Sequence, residues 1–410
     1  MNPVTPLIIG AVLLVAAAWL ALPSPSQQRE LRARRPAGDK NLAAWAGAVT
    51  SRLPAALEAQ NVAKSGLLQQ GKRPLPRVVG SEAIPGGWRW TLDLPGNTVA
   101  DDWEANRIVA ALNTGRQMAA VGEVHHYRDG WAHLELYRSE PLAAPVPVPW
   151  KPGEQPSCCQ PGTVCIGRRR DGKHIHFDLL VDGSGLATLI AGRRGSGKSE
   201  TARLLTAQVA AWGWAPPIVV DLVRHGVDYE AMAPLLDRPI ITDPKSAKAL
   251  IAELNEEASE RAAALKAAGR QKITRFSAAR PFRVLIWDEV QTVNDDKQMK
   301  LGLRRWVQQA RPVGSAPVLI TQYPTNDNID STLRAQIANV WAGRVRDHVQ
   351  AGVIFGPLPE GEGPHNMRIG PGGCWVDVDE PDLLQGRTWH MTADWLDAHV
   401  KALSPARVNG

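Results

Sequence analysis

Eight residues near the middle of the chain, Gly192-Arg193-Arg194-Gly195-Ser196-Gly197-Lys198-Ser199, restrict its fold more than any other feature. The pattern G-x-x-x-x-G-K-[ST] wraps backbone closely around phosphates, because glycine accepts conformations that a Cβ forbids. Such a loop works between a buried strand and a helix whose first N–H groups face the anion. The flanks comply: residues 186–191 are an apolar strand-like run, and residues 200–211 continue as a helix. Lys198 is placed to reach the β- and γ-phosphates, and the Ser199 hydroxyl to ligate Mg²⁺. Gly192, Arg193, Arg194, Gly195, Ser196, Gly197, Lys198, Ser199 and Glu200 are the expected ATP-contacting set.

About 90 residues later the run Val284-Leu285-Ile286-Trp287 ends in Asp288-Glu289. A buried strand tipped by two acids complements a phosphate loop. Asp288 would hold Mg²⁺ through water. Glu289 would orient and deprotonate an attacking water. A third apolar run, Val318-Leu319-Ile320, ends in Thr321-Gln322. Polar residues at the carboxyl ends of parallel strands face the ligand crevice, so Gln322 is a candidate γ-phosphate sensor.

Strand-like runs at residues 187–191, 218–221, 283–287, 317–321 and 341–345 alternate with helical stretches. This predicts an α/β domain over 163–380 with a largely parallel, covered sheet. A hairpin is expected around Asp171-Gly172. Upstream, residues 41–141 read as a small α+β module. Leu42, Trp45, Val49, Leu53 and Leu57 recur at helical spacing over 41–68, and residues 87–94 alternate like a strand. Residues 100–115 read as a helix opened by acids. Two strands, 121–127 and 131–137, flank the turn Arg128-Asp129-Gly130. Residues 142–162 read as a Pro-rich linker and 381–410 as a C-terminal helix and tail.

The apolar run at residues 4–22 is long enough, at about 28 Å of helix, to span a bilayer core. A basic linker at 23–40, with Arg29, Arg32, Arg34 and Arg35, follows it, and no Lys or Arg precedes it. The positive-inside rule then predicts a single-pass anchor in the plasma membrane with the rest of the chain cytoplasmic. A formal net charge of +6 suits a polyanionic partner. Two basic stretches could grip phosphates: Arg270, Lys272, Arg275 and Arg280, and Arg168, Arg169, Arg170 and Lys173. The four cysteines, Cys158, Cys159, Cys165 and Cys374, form no secreted disulfide framework. Cys158, Cys159 and Cys165 with His174 or His176 offer enough metal donors, but their spacing fits no common zinc pattern. These cysteines, like Trp306, are read as packing residues.

The order of these pieces, from about Cys165 to Asp377, resembles the FtsK/SpoIIIE/TraB motor family of the HerA/FtsK P-loop ATPases. Gln309-Ala310-Arg311-Pro312-Val313-Gly314 is similar to that family's A-R-A-x-G step. Thr321-Gln322-Tyr323-Pro324-Thr325 is similar to its T-Q-R-P-[ST], and Ile369-Gly370-Pro371-Gly372-Gly373-Cys374-Trp375 to its late L-G-x-G-x-[ML] strand. The upstream module looks most like that of transfer proteins of actinobacterial mobile elements. The resemblance implies a RecA-like fold and a homohexameric ring around double-stranded DNA, with ATP at subunit interfaces. It implies service in plasmid or mobile-element transfer or in chromosome segregation. Arg311, Arg344 and Arg346 are the candidates for an arginine acting in trans. Arg311 joins Lys198, Glu289 and Gln322 in the expected catalytic set.

Two positions depart from the pattern: Leu222 and Val223 follow Asp221 where D-P-K is usual, and Tyr323 replaces the sensor arginine. The residues after Asp377 leave no room for a winged-helix module, so sequence-specific DNA reading is not expected. The same motor type also drives protein export, in type VII secretion ATPases that usually carry tandem ATPase domains. Here there is one P-loop. A degenerate nucleotide-binding module would lack parts of the site, yet Lys198, Ser199, Asp288 and Glu289 are all present.

Overall fold

The computed structural model describes residues 40–65, 75–94, 105–114, 117–277, 279–358, 362–378 and 382–408. The expected membrane segment at 4–22 and nearly all of the basic linker lie outside them. Among the described residues no helix is long and apolar enough to cross a membrane. The chain divides into two compact units after Ser139.

The first unit contains α1 (Lys40–Ser65), β1 (Arg77–Ile84), β2 (Gly87–Asp93), α2 (Ala105–Leu112), β3 (Val121–Arg128) and β4 (Trp131–Tyr137). Its strands form an antiparallel sheet in the order β1-β2-β4-β3. Helical spacing brings Ala46, Val49, Leu53, Ala56 and Leu57 of α1 onto one buried face. They share a core with Trp90, Leu92, Ile108, Leu134 and Leu136. Trp90 Nε1–H donates to Thr50 Oγ1 at 2.9 Å, so the buried indole keeps a partner. The edge strand β1 is the element that the sequence pattern conceals. Its residues are mostly exposed on both faces and include Gly80, so it lacks apolar alternation.

The second unit opens with β5 (Thr163–Arg169) and β6 (His174–Asp178), the expected hairpin. A two-stranded ladder, β7 (Leu180–Val181) with β8 (Ser184–Gly185), leads into β9 (Ala187–Ala191) and α3 (Lys198–Ala210). Then follow β10 (Ile218–Asp221), α4 (Pro244–Ala267), β11 (Arg283–Asp288), α5 (Lys297–Ala310), β12 (Ser315–Thr321), α6 (Ser331–Arg334), β13 (Ile337–Ala342), α7 (His348–Phe355), β14 (Gly373–Asp377), β15 (Leu384–Thr388) and α8 (Ala393–Val408). Helix starts follow the side-chain rules: Asp243 caps α4 before Pro244, and Asp296 caps α5 through the N–H groups of Gln298 and Met299.

Nine strands form one sheet in the order β10-β11-β12-β9-β13-β14-β15-β5-β6. The first five are parallel. The remaining four join antiparallel, so the sheet is mixed where a largely parallel one was expected. Periodicity shows that a strand exists but not which neighbour it takes. The sheet also runs past residue 380, because β15 sits between β14 and β5. Residues read as a linker pack within this unit: Leu142 and Val148 are buried, and Gly153 N–H donates to His399 Nδ1 of α8 at 2.9 Å. Trp306, with Leu303 and Val307, fills the core between α5, α4 and the sheet, as expected.

α3 is tied to the antiparallel wing by one buried side chain. Gln208 accepts from Cys165 N–H at 2.9 Å and donates to Cys165 O at 3.0 Å. Gln208→Leu keeps the bulk but leaves that strand's buried N–H and C=O without these bonds. We expect a loss of about 2–4 kcal/mol from the second unit, read as an earlier urea midpoint. A change within about 0.5 kcal/mol would show that the bond pair is dispensable.

Candidate nucleotide site

Five parallel strands deliver their following loops to one edge of the sheet, and the polar residues singled out in the sequence gather there. β9 feeds the glycine loop, and α3 starts at Lys198 directly after it. Gly192, Gly195 and Gly197 hold φ values of 148°, 78° and 105°, a region that side chains rarely adopt. A Cβ on Gly197 would lie 2.7 Å from Gly372 N, and one on Gly192 2.6 Å from Ser196 Oγ. Neighbouring strand ends pin the loop: Arg193 N–H donates to Arg344 O, and Gly372 N–H donates to Ser196 O, each at 2.9 Å. Ser196 Oγ is buried with no hydrogen-bond partner among the described residues. A narrow glycine cradle with a spare hydroxyl fits a polyphosphate.

Lys198 is 6% exposed, and its Nζ donates to Arg193 O at 3.4 Å. Burial pulls its pKa below the ordinary lysine value, while the charges of Glu289 and Asp288 act in the opposite sense. The lysine therefore shares one electrostatic site with the acidic pair. Ser199 and Glu200 occupy the first turn of α3. Glu200 pairs with Arg203, and its carboxylate lies 3.7 Å from His390 Nδ1, so it is committed outside the cradle. Arg193 and Arg194 are exposed on the loop.

The acidic pair ends β11, separated from the P-loop strand by β12. Asp288 is buried, and its pKa is pushed up to about 6, first by desolvation and then by the charges of Glu289 and Asp221. Tyr229 O–H donates to Asp288 Oδ2 at 3.1 Å. A divalent cation between Asp288 and Ser199 would relieve this crowding of negative charge. Glu289 sits in the left-handed region at φ 56°, an uncommon conformation for a non-glycine residue at a strand tip. Its carboxylate accepts from Gln291 Nε2 at 2.7 Å and from Gln322 N–H at 3.1 Å. The Gln322 side-chain amide donates to the other oxygen. Thr321 Oγ1 donates to Gln291 Oε1 at 3.0 Å and closes the network. The intervening strand thus delivers Gln322 between the cradle and the general-base candidate.

Lys198, Asp288, Glu289 and Gln322 come together. Arg311 does not join them. It follows α5, and its carbonyl accepts from Gly185 N–H just before β9, on the amino-terminal edge of the parallel strands. Arg344 and Arg346 are exposed just after β13, on the nucleotide edge. Sequence reasoning missed Tyr229 and Gln291. Gln291 follows Glu289 by two residues and was within sight. Tyr229 lies 59 residues from Asp288 and carries no local signal.

The surroundings of the two basic stretches differ. Arg170 is buried and forks onto Glu140 at 2.9–3.1 Å, and Arg168 donates to Pro141 O. Arg169 and Lys173 each lie 3.7 Å from Asp171. That set holds its own chain together. Arg270, Arg275 and Arg280 are exposed and, with Lys272, line one pocket at the start of β11.

Residues 159–342 match the model of the FtsK/SpoIIIE family. The DNA translocase FtsK of Chlamydia trachomatis is 25% identical over 216 residues, covering 47% of this chain and 26% of that protein. The chain therefore spans about a quarter of that relative's length. The pCW3 conjugation coupling protein TcpA, in a monomer form with ATPγS, superposes with a TM-score of 0.57 at 17% identity, over 86% of this chain and 99% of that one. EssC ATPases 2 and 3 from Geobacillus thermodenitrificans superpose with a TM-score of 0.51 at 14% identity, over 64% and 52%. At these identities the likeness speaks for the fold alone. The glycine cradle, the acidic pair and the Thr-Gln strand tip thus gather on one sheet edge, within the stretch 159–342 that matches the FtsK/SpoIIIE family, and together they have the parts of a P-loop nucleotide site.

Proposed function

We propose that the chain is an ATP-driven motor acting on double-stranded DNA, as a ring of like subunits, in transfer of a mobile element. The observation that carries the reading is the meeting of Lys198, Asp288, Glu289 and Gln322 on one edge of the sheet. The backbone of the glycine loop and Lys198 bind and orient the phosphates of ATP. Ser199 and Asp288 would hold Mg²⁺, which would supply charge neutralisation for the phosphates. Glu289 takes the proton of the attacking water, and Gln322 holds the glutamate in place. Arg311 suits a role in trans, because it stands away from its own chain's cradle. Residues 4–22 would anchor the chain in the plasma membrane, with the ATPase domain on the cytoplasmic side.

DNA as cargo is favoured by the named activity of the FtsK relative and by the exposed Arg270, Arg275 and Arg280. Contacts of that type ignore sequence and weaken steeply with salt. The fold likeness to a type VII secretion ATPase, EccC of Thermomonospora curvata, with a TM-score of 0.50, keeps protein cargo as the second reading.

Lys198→Ala should weaken ATP binding at least about tenfold by titration calorimetry, a loss of about 1.4 kcal/mol. Glu289→Gln should still bind ATP but turn it over about 10²–10⁴-fold more slowly. Wild-type hydrolysis by either variant would refute the site. Duplex DNA should stimulate hydrolysis, with an effect that fades as salt rises. Reversing Arg270, Arg275 and Arg280 to Glu should flatten the plot of log K against log salt by about 0.9 for each phosphate that is no longer neutralised. ATP hydrolysis indifferent to DNA at every salt concentration would favour protein cargo instead.

A further inference from the structure

Away from the nucleotide edge, four metal-ligating side chains converge on the β5–β6 hairpin. Cys165 of β5 pairs across the ladder with His176 of β6. His174 precedes His176 by two residues and so shares its face of the strand. Cys158 reaches them from the turn before β5, and its Sγ lies 3.1 Å from His174 Nδ1. The ligand atoms of Cys158, Cys165, His174 and His176 all lie within 4.8 Å of one another. Cys165 is buried, and His176 Nε2 is buried with no hydrogen-bond partner among the described residues.

We propose that these four side chains bind one zinc ion as a structural Cys₂His₂ site. Two thiolates and two neutral imidazoles are the soft donor set that zinc takes, and they balance its charge. Tetrahedral zinc separates its ligand atoms by about 3.3–3.8 Å, so an inward movement of at most about 0.7 Å by each ligand closes the site. Binding forms two Zn–S and two Zn–N bonds and releases one proton from each thiol, with no change of oxidation state. A supporting donor is in place: Trp389 Nε1–H points at Cys165 Sγ at 3.3 Å. The Trp389 ring also stacks edge-on with His174 at 5.4 Å between centroids.

The spacing hides the site in the sequence because three ligands come from paired strands rather than from a knuckle turn. Its place in the fold suggests its use. The Cys165 backbone is the group that Gln208 of α3 grips from both sides. A metal at Cys165 would fix the wing against which the nucleotide-binding helix rests. This inference stands whether or not the cargo is DNA.

The test uses the full chain, purified under reducing conditions without chelator, and elemental analysis for zinc. Wild type should carry about one zinc per chain. Replacing zinc by cobalt should give tetrahedral d–d bands and a sulfur-to-cobalt charge-transfer band. Cys158→Ser and His174→Ala should lose both metal and bands, and the melting temperature should fall to that of chelator-treated wild type. Cys158 is exposed, so that variant does not disturb the core. Cys374→Ala and Lys198→Ala should keep the metal. A reduced wild-type chain with neither zinc nor a tetrahedral cobalt spectrum overturns the proposal. So does a Cys158→Ser variant that holds as much zinc as wild type.

Discussion

Three carboxylates buried at neighbouring strand tips, Asp221, Asp288 and Glu289, set the terms for the rest of the ATPase domain. Asp221 and Asp288 stand in register at the ends of β10 and β11, and Glu289 comes next. Taking such charges out of water is costly unless each is paired or hydrogen-bonded. The fold answers each one differently. Asp221 accepts three backbone N–H groups, from Val223, Arg224 and Gly226, and so shapes the turn after β10. Asp288 has Tyr229 and the nearby charge of Lys198. Glu289 is gripped by Gln291 and Gln322. The charge that remains uncompensated is what a magnesium–nucleotide complex can use.

That arrangement explains one departure from the resembled family. Leu222 and Val223 stand where a Pro-Lys pair is usual after the second strand. No lysine is needed there to answer Asp221, because its side chain is spent on the turn. The backbone does the work that a cation would do, with three N–H groups aimed at one carboxylate.

The parts of the fold legible in the sequence are those with a local signature. The glycine loop, the apolar runs ending in Asp288-Glu289 and Thr321-Gln322, and the strand at residues 218–221 all fall where their patterns put them. Partnership was not legible. Nothing in residues 384–388 announces a strand inserted between β14 and β5, and Leu142 and Val148 look like linker until the core that receives them is seen. Charge runs misled in the same way. Arg168 and Arg170 read as a solvent-facing grip, yet they anchor the start of the second unit through Pro141 and Glu140. The cysteines read as packing residues, because the face that β5 and β6 share appears only once the hairpin is paired.

The parallel strands have two edges, and this chain uses them unequally. The carboxyl edge carries the cradle, the acids and Gln322. The amino edge carries Arg311 and the exposed arginines before β11. The two are joined by rigid parts: β12 runs fully buried from one edge to the other, and α5 returns alongside it. Buried Arg261 of α4 clamps the far end of this path, donating to the carbonyls of Pro281, Val313 and Gly314. A displacement of Gln322 by nucleotide would therefore meet a stiff lever whose other end bears Arg311. Close-packed elements move as bodies rather than deform. If ATP chemistry reaches a neighbouring subunit or a bound polyanion, β12 and α5 are the path of least compliance along which it would travel.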